Sequence, residues 1–367
     1  MVMEYVQEAV TTLHDFGDAY PPSPTERAAV VVPMTERDHA ALAAERVLRT
    51  LEEVGLGRVV VPLRAGPDEV GDVVSWVEEF DIPSEVVWCT APAVQSVLAE
   101  AGLDGPPGKG RDVWLGLGAA LAGDAEYVVV HDADATTYSR AHVPRLLHPV
   151  ANGFAFSKGY YARVENDRIY GRLCRLFYEP LVRALAEAHD DPVVEYLGAF
   201  RYALAGEFAA TAEVAGRLRA QRGWGLEVGT LGEAFGVVGP EGTAQVDLGV
   251  HEHDHRSVGG PDGLGDMCTE VGAALFRALA DNGVEPDYGA LRERYREHAY
   301  RLVDQYAADA EFNGLDYDPA EERDQVDTYA AGVAAPTGDD RLPAWRSAPL
   351  DPAVVRERSA AAIAEER

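Results

Sequence analysis

Tyr127-Val128-Val129-Val130-His131-Asp132-Ala133-Asp134 joins a β-branched run to two carboxylates one residue apart. Valine repeated without a polar break suits a strand buried on both faces, as inside a parallel sheet. In extended backbone, residues two apart point the same way, so Asp132 and Asp134 can face one cation, and the small Ala133 lets a bulky ligand come close. Hard cations such as Mg2+ or Mn2+ take a few protein oxygens and fill their remaining positions with diphosphate oxygens. A solvated acidic turn is the plain alternative, since Asp-x-Asp arises cheaply in an acidic chain. The place right after an apolar strand favours the metal.

Outward from this stretch, strand and helix alternate. Apolar runs at 28–32, 58–63, 85–89 and 126–131 read as strands, and 38–54, 68–80, 93–101 and 111–121 carry helical periodicity. That rhythm predicts an α/β fold, a mainly parallel sheet with flanking helices, whose ligands bind beyond the carboxyl ends of the strands. Pro33-Met34-Thr35-Glu36, the loop after Cys89, and Asp132-Ala133-Asp134 all fall at such ends. Further on, 153–161 and 243–250 read as strands. Helices are expected at 170–188 (kinked at Pro180), 207–221, 226–235 and, as a pair, between 263 and 309. Residues 1–20 read as a short amphipathic helix ended by Pro21-Pro22-Ser23-Pro24. The expected organisation is an N-terminal helix and linker (1–24), a catalytic domain (25–262), a C-terminal helical extension (263–311) and an acidic, loosely ordered tail (312–367) with a short helix over 352–366.

The chain has 367 residues, 62 acidic against 32 basic, and a net charge of −30 spread along its length. Such a surface repels nucleic acid and anionic lipid, and suits concentrated salt, where screening removes self-repulsion. Nothing resembles a signal peptide or a membrane span, so a cytoplasmic protein of a halophile is expected. Two copies assembling as a homodimer is compatible with the sequence. The three cysteines, Cys89, Cys174 and Cys268, are widely spaced among apolar neighbours and read as buried thiols.

Only two of the basic residues are lysines, Lys109 and Lys158, each in a glycine-bearing loop. An ammonium is a compact point charge and a guanidinium a flat fork, so lysine is kept where only the compact shape fits, or survives by chance in an arginine-rich genome. The glycines of Gly105-Pro106-Pro107-Gly108-Lys109-Gly110 let backbone approach a nucleotide, though the phosphate-loop spacing fails and an ordinary helix-entry turn is equally economical. His251, His253 and His255 alternate after the last strand. No fourth ligand at zinc spacing accompanies them, so one histidine completing the aspartate site is the simpler reading.

Taken in order, Val32-Pro33-Met34-Thr35-Glu36, Gly108-Lys109-Gly110, Asp132-Ala133-Asp134, Lys158-Gly159-Tyr160, Leu204-Ala205-Gly206-Glu207, Gly223-Trp224-Gly225-Leu226-Glu227 and Gln245-Val246-Asp247-Leu248-Gly249 resemble the motifs of glucosyl-3-phosphoglycerate synthases, retaining glycosyltransferases of the GT-A fold. The resemblance implies a nucleotide-sugar donor, UDP-glucose, a small acidic acceptor, and Mg2+ or Mn2+. It implies that Pro33, Met34, Thr35 and Glu36 cradle the uridine and that Lys109 lies near the uridine or its phosphates. Asp132, Ala133 and Asp134 would meet the diphosphate, with Asp134, Asp132 and His253 on the metal. Leu204, Gly206 and Glu227 would line the hexose at the reacting centre. Arg168, Tyr170, His255 and Lys158 would face the acceptor. Two stretches depart from the family, and His255 stands where an amide side chain is usual. Pro62-Leu63-Arg64-Ala65-Gly66 replaces an Asp-Ser-Gly-Ser-like turn, and Asn166-Asp167-Arg168-Ile169-Tyr170 replaces Gly-Gly-Arg-Val-Thr. The product would be a precursor of a compatible solute.

Two other classes compete. A nucleotidyltransferase needs a glycine-rich loop after its first strand, and Met34-Thr35-Glu36-Arg37 has none. A nucleotide-sugar-binding protein without turnover, or a glycosyltransferase with a different acceptor, is the remaining alternative.

Overall fold

The structure, a computed structural model, describes residues 7–252 and 260–367. The strands are β1 (Thr11–Leu13), β2 (Ala28–Val31), β3 (Met34–Thr35), β4 (Arg58–Arg64), β5 (Ser84–Trp88), β6 (Tyr127–Val130), β7 (Phe156–Ala162), β8 (Val164–Glu165), β9 (Arg168–Ile169), β10 (Phe208–Thr211) and β11 (Thr243–Val250). The helices are α1 (Leu42–Glu52), α2 (Pro67–Val77), α3 (Pro92–Glu100), α4 (Lys109–Leu121), α5 (His142–Ala151), α6 (Glu179–Ala186), α7 (Pro192–Gly198), α8 (Ala212–Ala215), α9 (Leu226–Val238), α10 (Gly260–Asp281), α11 (Tyr288–Asn313), α12 (Pro319–Tyr329) and α13 (Pro352–Glu366).

The valine run of β6 lies at the middle of one sheet, ordered β1-β11-β7-β10-β6-β2-β4, with β3 and β5 also on β4. Every pairing is parallel except those of β10, which runs antiparallel between β6 and β7. Val128, Val129, Val30, Val31, Val59, Val60 and Val61 are fully buried, as an unbroken β-branched pattern requires when helices cover both faces. The expected α/β fold is therefore present.

Four local expectations are corrected or refined, each for a physical reason. Residues 7–24 form no helix: β1 adds to the sheet edge, Thr11 opposite Ala244, and buries Val10 and Thr12. Consecutive β-branched residues at 10–12 suit that edge better than a helix face. The stretch 207–221 is not one helix either. Phe208-Ala209-Ala210-Thr211 is a strand, since ladders on both sides outweigh the helical preference of two alanines. The helix expected at 170–188 is present over 172–186, with a π turn at Cys174–Tyr178 just ahead of Pro180, which has no N–H to give.

The fourth correction concerns the tail. Beyond residue 312 the chain folds into α12 and α13, and α13 packs against α2, α3, α4 and β5. Trp345 stacks on Trp114 with ring centroids 3.9 Å apart, and Ser359 Oγ accepts a 2.7 Å hydrogen bond from the Trp88 N–H. Acidic composition suggested looseness, but a few apolar anchors, Trp345, Val355, Ala362 and Ile363, suffice to seat it.

Candidate active site

The antiparallel insertion of β10 builds the site. Because β10 runs against β6 and β7, its beginning lies where β6 ends. Phe208 faces Val130 on one side and Lys158 on the other, and the Gly159 N–H donates to the Glu207 carbonyl at 2.9 Å. Asp132, Gly206, Glu207 and Lys158 thus meet at one edge of the sheet. A Cβ on residue 206 would stand 2.7 Å from Asp132 Cγ, so only glycine lets that carboxylate lie against the loop.

Lys109 opens α4 and reaches this edge. Its ammonium is 2.7 Å from Asp132 Oδ1 and 2.9 Å from Glu227 Oε1, the latter in the first turn of α9. Burial alone would lower its pKa, but the two carboxylates outweigh burial and hold it well above the ordinary lysine value. The glycines beside it admit protein backbone. A Cβ on residue 110 would stand 2.9 Å from the Gln221 carbonyl carbon, and the Arg111 N–H donates to the Arg222 carbonyl at 3.0 Å. That close approach of two backbones brings Lys109 and Glu227 together.

Lys158, expected at the acceptor, is 1 % exposed and donates to the Ala205 carbonyl. It lies beneath the site, so a direct acceptor contact is not what its position offers. Burial pushes its pKa down to about 8 against the opposing pull of Glu227 and Glu207. Glu207 is buried beside it and was missed as a site residue. An acidic residue following Gly206 was the available signal, hidden by reading 207–221 as a helix.

Where uridine was expected, Thr35, Glu36, Arg37, Arg64, Ala65, Gly66 and Thr90 line a cavity of about 430 Å³. Glu36 accepts a 2.9 Å hydrogen bond from the Gly66 N–H, and Asp38 caps Thr35 through both its N–H and its hydroxyl. Pro33 is half-buried, and Met34 is buried in the sheet at 2 % and does not line the cavity. The departure from the family's turn after β4 falls here. Arg64 stands in the cavity wall with its Nε held 2.8 Å from the buried Asp112 carboxylate.

For the cation, Asp134 follows Ala133 in the loop after β6, and that loop is tied to the chain just before His253. The Thr136 N–H and hydroxyl donate to the Glu252 carbonyl at 2.8 and 3.2 Å, and the Glu252 N–H donates to the Thr137 hydroxyl at 3.1 Å. Arg46 of α1 donates to the Thr136 carbonyl from the other side. Hard carboxylate oxygens with an imidazole fit Mn2+ or Mg2+. Asp132 is held by Lys109, and Asp134 stands two residues further along the same loop. His253 and His255 lie outside the described residues. Among the described residues, no three His, Cys, Asp or Glu side chains converge as a metal set. His251 is buried, stacked on Tyr161 at 4.0 Å.

Arg168 and Tyr170 lie on the short hairpin β8–β9. Arg168 is exposed, 4.0 Å from Asp316, and the Tyr170 N–H donates to the Arg163 carbonyl at 3.0 Å. Leu204 is half-buried where the chain enters β10, and Trp224 is exposed one turn before Glu227.

No family model matches the chain. It is 33% identical over 364 residues to the glucosyl-3-phosphoglycerate synthase of Methanococcoides burtonii, covering 92% of this chain and 90% of that one. It is 33% identical over 341 residues to the glucosyl-3-phosphoglycerate synthase of Persephonella marina, covering 86% and 84%. Among solved structures, the Mycobacterium tuberculosis glucosyl-3-phosphoglycerate synthase bound to phosphoglyceric acid is 23% identical with a TM-score of 0.55, covering 76% of this chain and 90% of that one. The same enzyme with Mn2+, UDP-glucose and phosphoglyceric acid is 24% identical with a TM-score of 0.55, covering 76% and 89%. At that identity the two structures share the fold.

Proposed function

The chain belongs to the glucosyl-3-phosphoglycerate synthases, a family of glycosyltransferases, and from that premise we propose how its own residues move glucose from UDP-glucose to 3-phosphoglycerate. The observation that carries the reading is Lys109, locked between Asp132 and Glu227 at the sheet edge where β6 ends.

Uridine occupies the cavity bordered by Thr35, Glu36 and Arg64. Asp134 and His253 would hold Mn2+ or Mg2+, and such an ion would supply positive charge against the diphosphate leaving group. Asp132 fixes Lys109 and lies flat on Gly206, so the donor binds over a rigid floor. Glu227 accepts hydrogen bonds from glucose hydroxyls while Lys109 restrains it, and Trp224 packs on an apolar face of the sugar. Leu204 and Gly206 close the same wall. Lys158 and Glu207 sit below, and their charges fix the turn that carries Gly206. Departure of UDP and attack by the acceptor hydroxyl on the same face of the sugar give retention without a protein nucleophile. Arg168 meets the acceptor's phosphate or carboxylate as a planar fork.

The acidic composition supports work in a salt-rich cytosol, and a product that is both sugar and anion suits a compatible-solute precursor. Among the described residues, no helix is long and apolar enough to cross a membrane. The test is incubation with UDP-glucose, Mn2+ and either 3-phosphoglycerate or unphosphorylated glycerate. Release of UDP with formation of an α-glucoside of 3-phosphoglycerate is expected. UDP binding with no turnover for any acceptor would sink the catalytic reading in favour of a nucleotide-sugar binder.

A further inference from the structure

A glutamate far along the chain reaches back to the hairpin that carries Arg168. Arg175, in the π turn, donates through Nε to the Tyr170 carbonyl at 3.0 Å and through Nη2 to the Ile169 carbonyl at 3.3 Å. The same guanidinium donates through Nη1 to Glu322 Oε2 at 3.0 Å, and Arg172 Nε donates to Glu322 Oε1 at 2.8 Å. Arg172 also pairs with Glu321 at 2.8 Å, and Tyr306 of α11 lies 4.7 Å from the Arg175 guanidinium carbon. Glu322 is 3 % exposed. Nearer the hairpin tip, the Asp316 N–H donates to the Asp167 carbonyl at 2.7 Å, and Arg168 and Asp316 form an isolated parallel bridge.

Burying a carboxylate with two guanidiniums gains little stability, because desolvation offsets most of the attraction. What such a group does fix is geometry. The hairpin needs that help. Its strands have two residues each, its turn residues Asn166 and Asp167 are both left-handed at φ 48° and 56°, and so short a ladder does not hold its own position.

We propose that the segment from Asp316 to Glu322 is a positioning device for the acceptor loop. Glu322, acting through Arg172 and Arg175, sets where Arg168 presents its guanidinium to the anionic group of the acceptor. This rests on the reading of Arg168 as an acceptor contact. Glu322, Arg172 and Arg175 are positioning residues, and none of them touches the substrate.

Steady-state kinetics on the full chain, with saturating UDP-glucose and Mn2+ and varied 3-phosphoglycerate, test it, alongside calorimetric UDP–Mn2+ binding. Glu322→Gln should raise the acceptor KM by about ten-fold or more, as small displacements of a positioning group do, while kcat and UDP affinity stay within about two-fold. Arg172→Lys keeps the charge but not the fork, so it reads the same contact with less risk to folding and should give a smaller rise. Glu322→Asp should recover part of the loss. A wild-type acceptor KM in a variant that still binds UDP would overturn the proposal, as would a parallel loss of donor affinity, which marks general damage. Arg168→Ala separates the two layers. If it leaves the acceptor KM unchanged, the acceptor-site reading falls; if it raises KM and Glu322→Gln does not, only the positioning device falls.

Discussion

Gly206 has room for a hydrogen and little more. Gly206→Ala would push the Asp132 carboxylate off the loop and away from Lys109, since its Cβ would lie 2.7 Å from Asp132 Cγ. The shift is confined to a side-chain end, so the fold should survive with a small change in Tm while kcat/KM falls by about 100-fold, the scale of a 1 Å misplacement. Equal activity in the two proteins would show that Asp132 has no fixed role. Lys158 gives a second test. Its pKa falls from 10.5 to about 8 through burial, so between those values the folded protein has released a proton that the unfolded chain keeps. Stability should therefore rise with pH from about 8 to 10.5 relative to Lys158→Met, read as the difference in Tm across that range. Parallel Tm profiles would contradict it. At this scale the sequence was informative about which residues matter and less so about what they touch. The rarity of lysine drew attention to Lys109 and Lys158, yet the partners of the first are carboxylates and the second is buried. Local spacing encodes neither fact, because Lys109 meets Asp132 across 23 residues and Glu227 across 118, and Lys158 meets Ala205 across 47.

Among elements, β10 decides most. Its four residues read as helix in isolation and become strand only because β6 and β7 offer unpaired backbone on both sides. Parallel strands with valine runs were legible, since burial on both faces leaves an unbroken apolar signature. An alanine-rich strand leaves none. The C-terminal segment was misread for a similar reason, as a few buried anchors carry little compositional weight. Trp345 donates through Nε1 to the Trp114 carbonyl at 2.7 Å, and Trp114 Nε1 donates to the Pro343 carbonyl at 2.8 Å, so the indoles lock the chain in both directions. Trp345→Ala should cost about 3–5 kcal/mol of unfolding free energy in denaturant, with UDP affinity unchanged while the protein remains folded. A loss under about 1 kcal/mol would mean that the segment is as loose as its composition suggests.

At the scale of the whole molecule, the net charge of −30 makes the effect of salt on stability a test of the high-salt reading. Many arginines are engaged, among them Arg341 with Asp281 at 2.6 Å and Arg356 with Glu85 at 2.7 Å, but the acidic surplus has no counterpart. Screening should raise Tm progressively from about 0.1 M to 2 M KCl as self-repulsion is removed. A flat or falling curve would contradict the high-salt reading. The fold, by contrast, follows from the strand–helix alternation over the first 131 residues and needs no charge argument. The loop after β6 and the chain leaving β11 are tied through Thr136, Thr137 and Glu252, and in the proposed function this gathering would let a cation hold the donor's diphosphate beside Lys109. Calorimetric titration of UDP into wild type and Asp134→Ala, with and without Mn2+, measures that gathering directly. The account predicts that Mn2+ tightens UDP binding strongly in wild type and not at all in the variant, with both proteins equally folded. An undiminished Mn2+ effect in Asp134→Ala would contradict it.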